Sequence, residues 1–121
     1  PGVSLHEYHI QVGELMTQEL LDLGLITAED VANENPAWPA YKKYFMHGTS
    51  HFIGLDVHDV GHWHEPIQAG HVFTVEPGIY IREENLGIRL ENDILITEDG
   101  FVDLMGHIPL EADDIEAMMA G

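Results

Sequence analysis

The chain has 121 residues, of which 45% are hydrophobic and none is cysteine, so it fits one globular domain and excludes both disulfides and a thiolate metal site. Its 22 acidic side chains outnumber four basic ones, and the net charge of −18 would repel a phosphate backbone, which excludes nucleic acid as a partner. No apolar run approaches the roughly 18 residues of a membrane span, so we also expect no membrane partner.

Two helices are predicted in the first third of the chain. Ser4 to Glu7 match a capping box, which marks a helix start, and Gly24 is the predicted cap at its end. Apolar residues recur between them at helical spacing, and we expect this stripe to face the core: Leu5, Tyr8, Val12, Leu15, Met16, Leu20 and Leu23. Thr27 to Asp30 predict a second, short helix that ends before Pro36.

The pattern changes to a period of two after His71, which indicates strands. Residues 72–76 and 79–81 are predicted strands on either side of Pro77-Gly78. The next strand is predicted to carry two faces, an apolar one (Ile88, Leu90, Ile94, Ile96) and a charged one toward a cleft (Arg89, Glu91, Asp93). With an acidic helix over residues 111–120, the predicted fold class is α+β with a mostly antiparallel sheet.

Residues 47–61 concentrate the side chains that carry chemistry, with three histidines, two aspartates and three glycines. His47 and His51 have a spacing that would pair them on a helix, but the neighbouring glycines disfavour a helix, and on a strand both would share one face. His51 and His58 are seven residues apart, about 23 Å in an extended chain, so they can serve one site only if the chain bends near Gly54.

Two glutamates stand apart in strand-like settings. Glu76 precedes a proline, which favours extended backbone, and strand alternation places it on the same face as Thr74 and Tyr80. Glu91 lies beside Arg89 on the charged face. Either the two form a structural ion pair, or Glu91 is a metal-binding carboxylate that Arg89 orients. Histidine with paired carboxylates predicts a site for divalent transition-series ions of hard character.

Three ordered motifs in this chain resemble those of the pita-bread metallopeptidases. The motifs are HGTSHFIGLDVHDVG, FTVEPGIYI and GIRLENDILIT, within residues 45–97, and they are most similar to those of bacterial Xaa-Pro aminopeptidase, or aminopeptidase P. The resemblance implies a pita-bread fold, in which a curved, mostly antiparallel sheet carries helices on its outer face.

The resemblance also implies a dimetal centre. His51 would be a metal ligand, Glu76 a ligand to one ion, and Glu91 a carboxylate that bridges two divalent ions. Manganese is the first choice for these ions, with cobalt, iron or zinc as alternatives. The family uses five ligands, and its two aspartates on an earlier strand pair have no counterpart before His47.

Further residues would act in catalysis beside Glu76. By the same resemblance, His58 would contact the peptide carbonyl and the tetrahedral intermediate, and His47 would line the pocket for the proline side. Arg89 and Tyr80 would support the ligands from behind. Retention of the whole set favours catalysis over binding alone.

The implied function is metal-dependent hydrolysis of the peptide bond between an N-terminal residue and a penultimate proline. Residues 1–121 would be the C-terminal portion of a single catalytic domain, without the N-terminal domain and the first half of the catalytic domain. On its own this portion would be inactive and would hold metal poorly. Two alternatives stay open: a prolidase, which cleaves Xaa-Pro dipeptides, and a non-catalytic peptide-binding relative. A peptide substrate, a homo-oligomeric parent protein and a cytoplasmic location are further expectations.

Overall fold

The computed structural model describes all 121 residues and contains three α-helices and five strands. The helices are α1 (Leu5–Asp22), α2 (Ala28–Ala32) and α3 (Ala112–Met119). The strands are β1 (Val72–Val75), β2 (Gly78–Ile81), β3 (Leu86–Arg89), β4 (Asn92–Ile96) and β5 (Phe101–Asp103), and 3-10 turns lie at Ala40–Lys43 and Arg82–Glu84. No helix combines the length and the apolarity needed to cross a lipid bilayer.

Both predicted helix starts are confirmed by complete capping boxes. The backbone N–H of Glu7 donates to the Ser4 hydroxyl at 3.1 Å, and the backbone N–H of Ser4 donates to the Glu7 carboxylate at 2.8 Å. Thr27 and Asp30 repeat the arrangement at α2. Helix α1 ends at Asp22, and Gly24 follows with a φ of +70°, a left-handed conformation that glycine adopts without strain.

The predicted apolar stripe of α1 is only partly correct. Leu5 and Leu20 are buried, whereas Leu15 is 57% exposed and Leu23 is 68% exposed. Each residue advances the helix by roughly 100°, so Leu15 lies about 80° around the helix axis from Leu5 and about 140° from Leu20. Leu23 follows the last helical residue, so helical spacing no longer places it toward the core.

Gly13 marks the point where α1 packs against the Tyr41 ring. A Cβ at position 13 would lie 2.8 Å from ring atoms of Tyr41. Alanine would favour the helix by about 1 kcal/mol, but overpacking costs about 1–3 kcal/mol. We expect Gly13→Ala to lower the free energy of unfolding by about 1 kcal/mol, measured by urea denaturation.

Gln11→Ala is the matched control, because Gln11 lies on the exposed side of the same helix. It should leave stability unchanged or raise it slightly. Equal stabilisation by both substitutions would show that the Tyr41 ring does not restrict position 13.

The strands form two antiparallel groups. The first is a three-stranded sheet in the order β1-β4-β5, and the second is the β2-β3 hairpin. The predicted single strand from Ile88 to Ile96 is therefore wrong, since β3 pairs with β2 while β4 pairs with β1 and β5. The chain changes partners at Leu90 and Glu91. As a result, the predicted apolar face is split: Ile94 and Ile96 pack on the core, whereas Ile88 and Leu90 are exposed.

Helix α1 contributes to both small cores. Near its start, Leu5 packs with residues of the three-stranded sheet and of the preceding loop (Ile67, Phe73, Ile96). Near its end, Leu20 packs with Ile26 and with aromatic residues of the first 3-10 turn and just after it (Tyr41, Tyr44, Phe45). The segment that carries the three predicted histidines leaves this second core directly at Met46, so the helix and the sheet together position it.

Candidate metal centre

The histidine segment lies in extended contact with β1. The backbone N–H of Thr74 donates to the carbonyl of His51 at 3.1 Å, and that of Glu76 donates to the carbonyl of Thr49 at 2.7 Å. Phe52 forms an isolated antiparallel bridge with Phe73. The helical alternative for this segment is therefore excluded, and the pairing brings His51 beside Glu76.

The His51 ring and the Glu76 carboxylate are arranged around a position for a cation. His51 Nδ1 lies 2.9 Å from the carbonyl oxygen of Phe52, which can only accept, so Nδ1 carries the hydrogen of the neutral ring. Nε2 then presents its lone pair to Glu76 Oε1 at 3.2 Å. Two atoms bound at about 2.1 Å to one ion also lie about 3.2 Å apart when the angle at the ion is near 100°. This pair accommodates either a proton on Nε2 or a metal ion.

Glu91 completes a group of three potential ligands. Its carboxylate, that of Glu76 and the His51 ring each offer an atom within 4.8 Å of the others. The side chains of His51 and Glu76 are 15% and 13% exposed, whereas Glu91 is exposed. One imidazole nitrogen with carboxylate oxygens suits a divalent transition-series ion, and three donors leave coordination positions open. The group therefore fits the predicted class of metal.

Two side chains hold Glu76 in place. Thr74, which is buried, receives the backbone N–H of His51 on Oγ1 at 3.1 Å, and its hydroxyl donates to Glu76 Oε1 at 3.5 Å. Arg89 Nε lies 3.8 Å from Glu76 Oε2. The expected pairing of Arg89 with Glu91 is wrong, because Arg89 lies opposite Gly78 across the β2-β3 hairpin and faces Glu76, while the chain turns away after it.

We expect Arg89→Ala to weaken metal affinity by about 10- to 100-fold, because it removes the cation that orients the Glu76 carboxylate. Isothermal titration with manganese of the purified longer protein that contains this chain measures this. Arg82→Ala at the far end of the same hairpin is the control and should bind metal normally. A normal titration with only a raised KM for peptide would identify Arg89 as a substrate anchor instead.

His58 lies next to the metal group without being part of it. The chain bends over residues 54–58, and the His58 and His51 rings then meet with centroids 4.4 Å apart at 68°. His58 is exposed and is not among the three clustered ligands. The ring is therefore placed to contact a molecule bound at the metal position.

His47 forms a separate pair with Tyr80. His47 Nδ1 lies 2.7 Å from the carbonyl of Gly48, so its Nε2 accepts from the Tyr80 hydroxyl at 2.9 Å. A Cβ at Gly78 would lie 2.6 Å from that hydroxyl and 2.9 Å from Nε2, so only glycine leaves room for the pair. Within this chain Tyr80 thus contacts His47, and its role in support of the ligands stays a prediction.

The residues that sequence reasoning overlooked act through the backbone or through hydroxyls. Thr49 positions Glu76 by its carbonyl, and Thr74 joins His51 to Glu76. The sequence does contain a signal for Thr74, because strand alternation places it on the same face as Glu76. Nothing in the sequence indicates the contact of Thr49, which depends on how two separate segments align.

Comparisons with known proteins agree with the three motifs. The model of metallopeptidase family M24 matches residues 1–98. The Xaa-Pro aminopeptidase of Haemophilus influenzae is 39% identical over 132 residues, which cover 98% of this chain and 30% of that protein. The Xaa-Pro aminopeptidase of Escherichia coli is 38% identical over 131 residues, covering 98% and 29%. The chain thus spans about 30% of the length of these relatives.

Solved structures show the same fold. Zinc-substituted aminopeptidase P of E. coli in complex with product superposes with a TM-score of 0.80 at 37% identity, covering 99% of this chain and 30% of that one. Proline aminopeptidase P II from Yersinia pestis gives a TM-score of 0.79 at 38% identity, covering 99% and 30%. The predicted α+β, pita-bread fold is confirmed.

Proposed function

Since the chain belongs to metallopeptidase family M24, we propose that it supplies part of the active site of a dimetal Xaa-Pro aminopeptidase. The observation that carries the proposal is the convergence of His51, Glu76 and Glu91 within 4.8 Å. The substrate would be a peptide with proline second. Because the chain spans about 30% of its relatives, we also propose that residues 1–121 work as the C-terminal portion of a catalytic domain in a longer protein.

Each side chain of the site then has a distinct task. His51, Glu76 and Glu91 would hold the metal, which would lower the pKa of a water and stabilise developing negative charge. His58, exposed beside His51, donates a hydrogen bond to the carbonyl oxygen of the scissile bond, where charge develops in the transition state. His47, oriented by Tyr80, lines the proline side of the substrate pocket.

Manganese is the proposed metal, with cobalt, iron or zinc as alternatives. The donor set of one imidazole and two carboxylates supports ions of intermediate hardness. Three side chains supply too few donors for two ions, so further ligands must come from outside this group. We therefore propose that residues 1–121 alone hold metal poorly and are inactive.

The aminopeptidase is favoured over the two alternatives. The relatives at 38–39% identity bear the name Xaa-Pro aminopeptidase, not prolidase. A non-catalytic peptide binder has no need for the exposed His58, whose ring centroid lies 4.4 Å from that of the proposed ligand His51. A homo-oligomeric state and a cytoplasmic location rest on the resemblance alone and stay proposals.

The test compares the intact protein that contains this chain with the 121-residue chain, both supplied with manganese. The substrates are Ala-Pro-Ala, Ala-Pro and Ala-Ala-Ala. We expect only the intact protein to be active, and only on Ala-Pro-Ala. Cleavage of Ala-Pro alone would identify a prolidase, and metal binding without any cleavage would identify a non-catalytic relative. Cleavage by the 121-residue chain would overturn its assignment as an incomplete site.

A further inference from the structure

The loop that carries His58 is not held in place by apolar packing. Three of its apolar side chains are at least 74% exposed: Leu55, Val57 and Val60. Their burial therefore contributes little to the shape of the loop. Among residues 53–60, Asp59 is the one residue that is not exposed. Its position inside the loop makes its hydrogen bonds the means by which the loop can keep one shape.

The Asp59 carboxylate closes the loop from within. Its Oδ1 accepts the backbone N–H of Val60 at 2.7 Å, and its Oδ2 accepts that of Asp56 at 3.3 Å. These N–H groups, that of Val60 first, hold the pKa of Asp59 below its ordinary value, so the carboxylate is charged at neutral pH and both oxygens accept. A Cβ at Gly54 would overlap Oδ2, so the other side of the loop approaches the carboxylate as closely as glycine allows.

A single backbone carbonyl joins this loop to the candidate metal ligand. The Phe52 carbonyl oxygen accepts the Asp59 backbone N–H at 3.1 Å and the His51 Nδ1–H at 2.9 Å. The Phe52 ring packs on the buried Phe73 ring with centroids 5.9 Å apart, and a Cβ at Gly61 would overlap the Phe52 ring. Both ends of the loop are therefore attached to one anchored residue beside His51.

We propose that Asp59 is the positioning residue for His58. Its carboxylate fixes the bend over residues 54–58, and this bend places the centroid of the His58 ring 4.4 Å from that of His51. The inference rests on the proposed function, in which His58 donates to the carbonyl oxygen of the scissile bond. A displacement of about 1 Å can cost about 100-fold in rate, so a loop with little apolar packing needs the Asp59 hydrogen bonds to keep this group in place.

The first test replaces Asp59 by alanine in the intact protein that contains this chain. We expect kcat on Ala-Pro-Ala to fall by about 10- to 100-fold with unchanged KM and metal content, because the His58 ring moves while the metal ligands stay. Asp59→Asn keeps one acceptor oxygen and should recover part of the loss. Asp56→Ala is the matched control, since it removes an exposed carboxylate of the same loop and keeps the backbone N–H. A normal kcat in Asp59→Ala overturns the proposal.

A double substitution shows whether Asp59 acts through His58. In the His58→Ala background, Asp59→Ala should cause no further loss of kcat, because the group that it positions is already absent. A further loss by the same factor would show a general effect on the fold and would overturn the proposal. Gly54→Ala displaces the carboxylate without removing it, so it should lower kcat alone and add nothing in the His58→Ala background. If Asp59→Ala fails to fold, Gly54→Ala decides the question in the same way.

A structural measurement separates this inference from the proposed function. In the metal-free intact protein with isotope-labelled histidine, the ring protons of His51 and His58 should give a nuclear Overhauser cross-peak, as their centroid distance of 4.4 Å allows. Asp59→Ala should abolish the cross-peak, and Asp56→Ala should retain it. A cross-peak that survives in Asp59→Ala overturns the inference even if Ala-Pro-Ala is cleaved. Loss of the cross-peak in Asp59→Ala, in a protein that cleaves no peptide, would support the positioning of His58 and contradict only the proposed peptidase activity.

Discussion

His58→Ala should lower the turnover of the intact protein by about 100-fold or more while its metal content stays unchanged. The centroids of the His58 and His51 rings are 4.4 Å apart, but His58 is exposed and is not one of the three clustered ligands. We therefore expect its loss to remove a contact to the substrate and not a bond to the metal. Steady-state kinetics on Ala-Pro-Ala, with metal quantified by mass spectrometry in the same samples, measures both quantities.

His62→Ala is the matched control for His58. His62 is an exposed histidine of the same loop region, and its Nδ1 lies 3.5 Å from Glu65 Oε1. It should retain normal turnover. If His58→Ala lost metal and activity in equal proportion, His58 would be a ligand, and its role toward the substrate would have to be abandoned.

Glu76→Gln should reduce metal affinity by more than about 100-fold, a larger loss than that expected from a supporting residue. The substitution keeps the size of the side chain but removes the negative charge that faces His51 Nε2 at 3.2 Å and Arg89 Nε at 3.8 Å. Activity should fall with the bound metal. Manganese titration by calorimetry and the rate of Ala-Pro-Ala cleavage at saturating manganese test the two consequences separately.

Glu98→Gln provides the control, since it makes the same chemical change at an exposed position after β4. It should leave both the titration and the rate unchanged. Full metal affinity in Glu76→Gln would rule out Glu76 as a ligand and would leave its carboxylate a purely structural partner of Arg89.

The helix boundaries could be predicted because the interactions that set them are local. Ser4 and Glu7 satisfy each other's backbone N–H groups within one turn, and Gly24 ends α1 through its own backbone conformation. The faces of α1 were less predictable. Leu15 and Leu23 belong to the apolar stripe in the sequence, but the surfaces that the helix meets leave both exposed.

The candidate ligands were predictable for a different reason. His51, Glu76 and Glu91 each lie in a short motif whose residue types and order resemble one family, and the chain does belong to that family. The spacing alone could not bring His51 to His58. The sequence predicted that His51 and His58 share a site only if the chain bends near Gly54. The tertiary structure shows this bend, over residues 54–58.

The amino-acid sequence by itself determined the helix starts, the fold class and the three residues that converge in the candidate metal centre, since these follow from contacts between near neighbours and from ordered motifs. The tertiary structure alone decided which partners those residues have. Arg89 contacts Glu76 because strand register places it across the hairpin, and Tyr80 contacts His47 through the space left by Gly78. Alternation along a strand states which way a side chain faces, but pairing between strands sets what it meets.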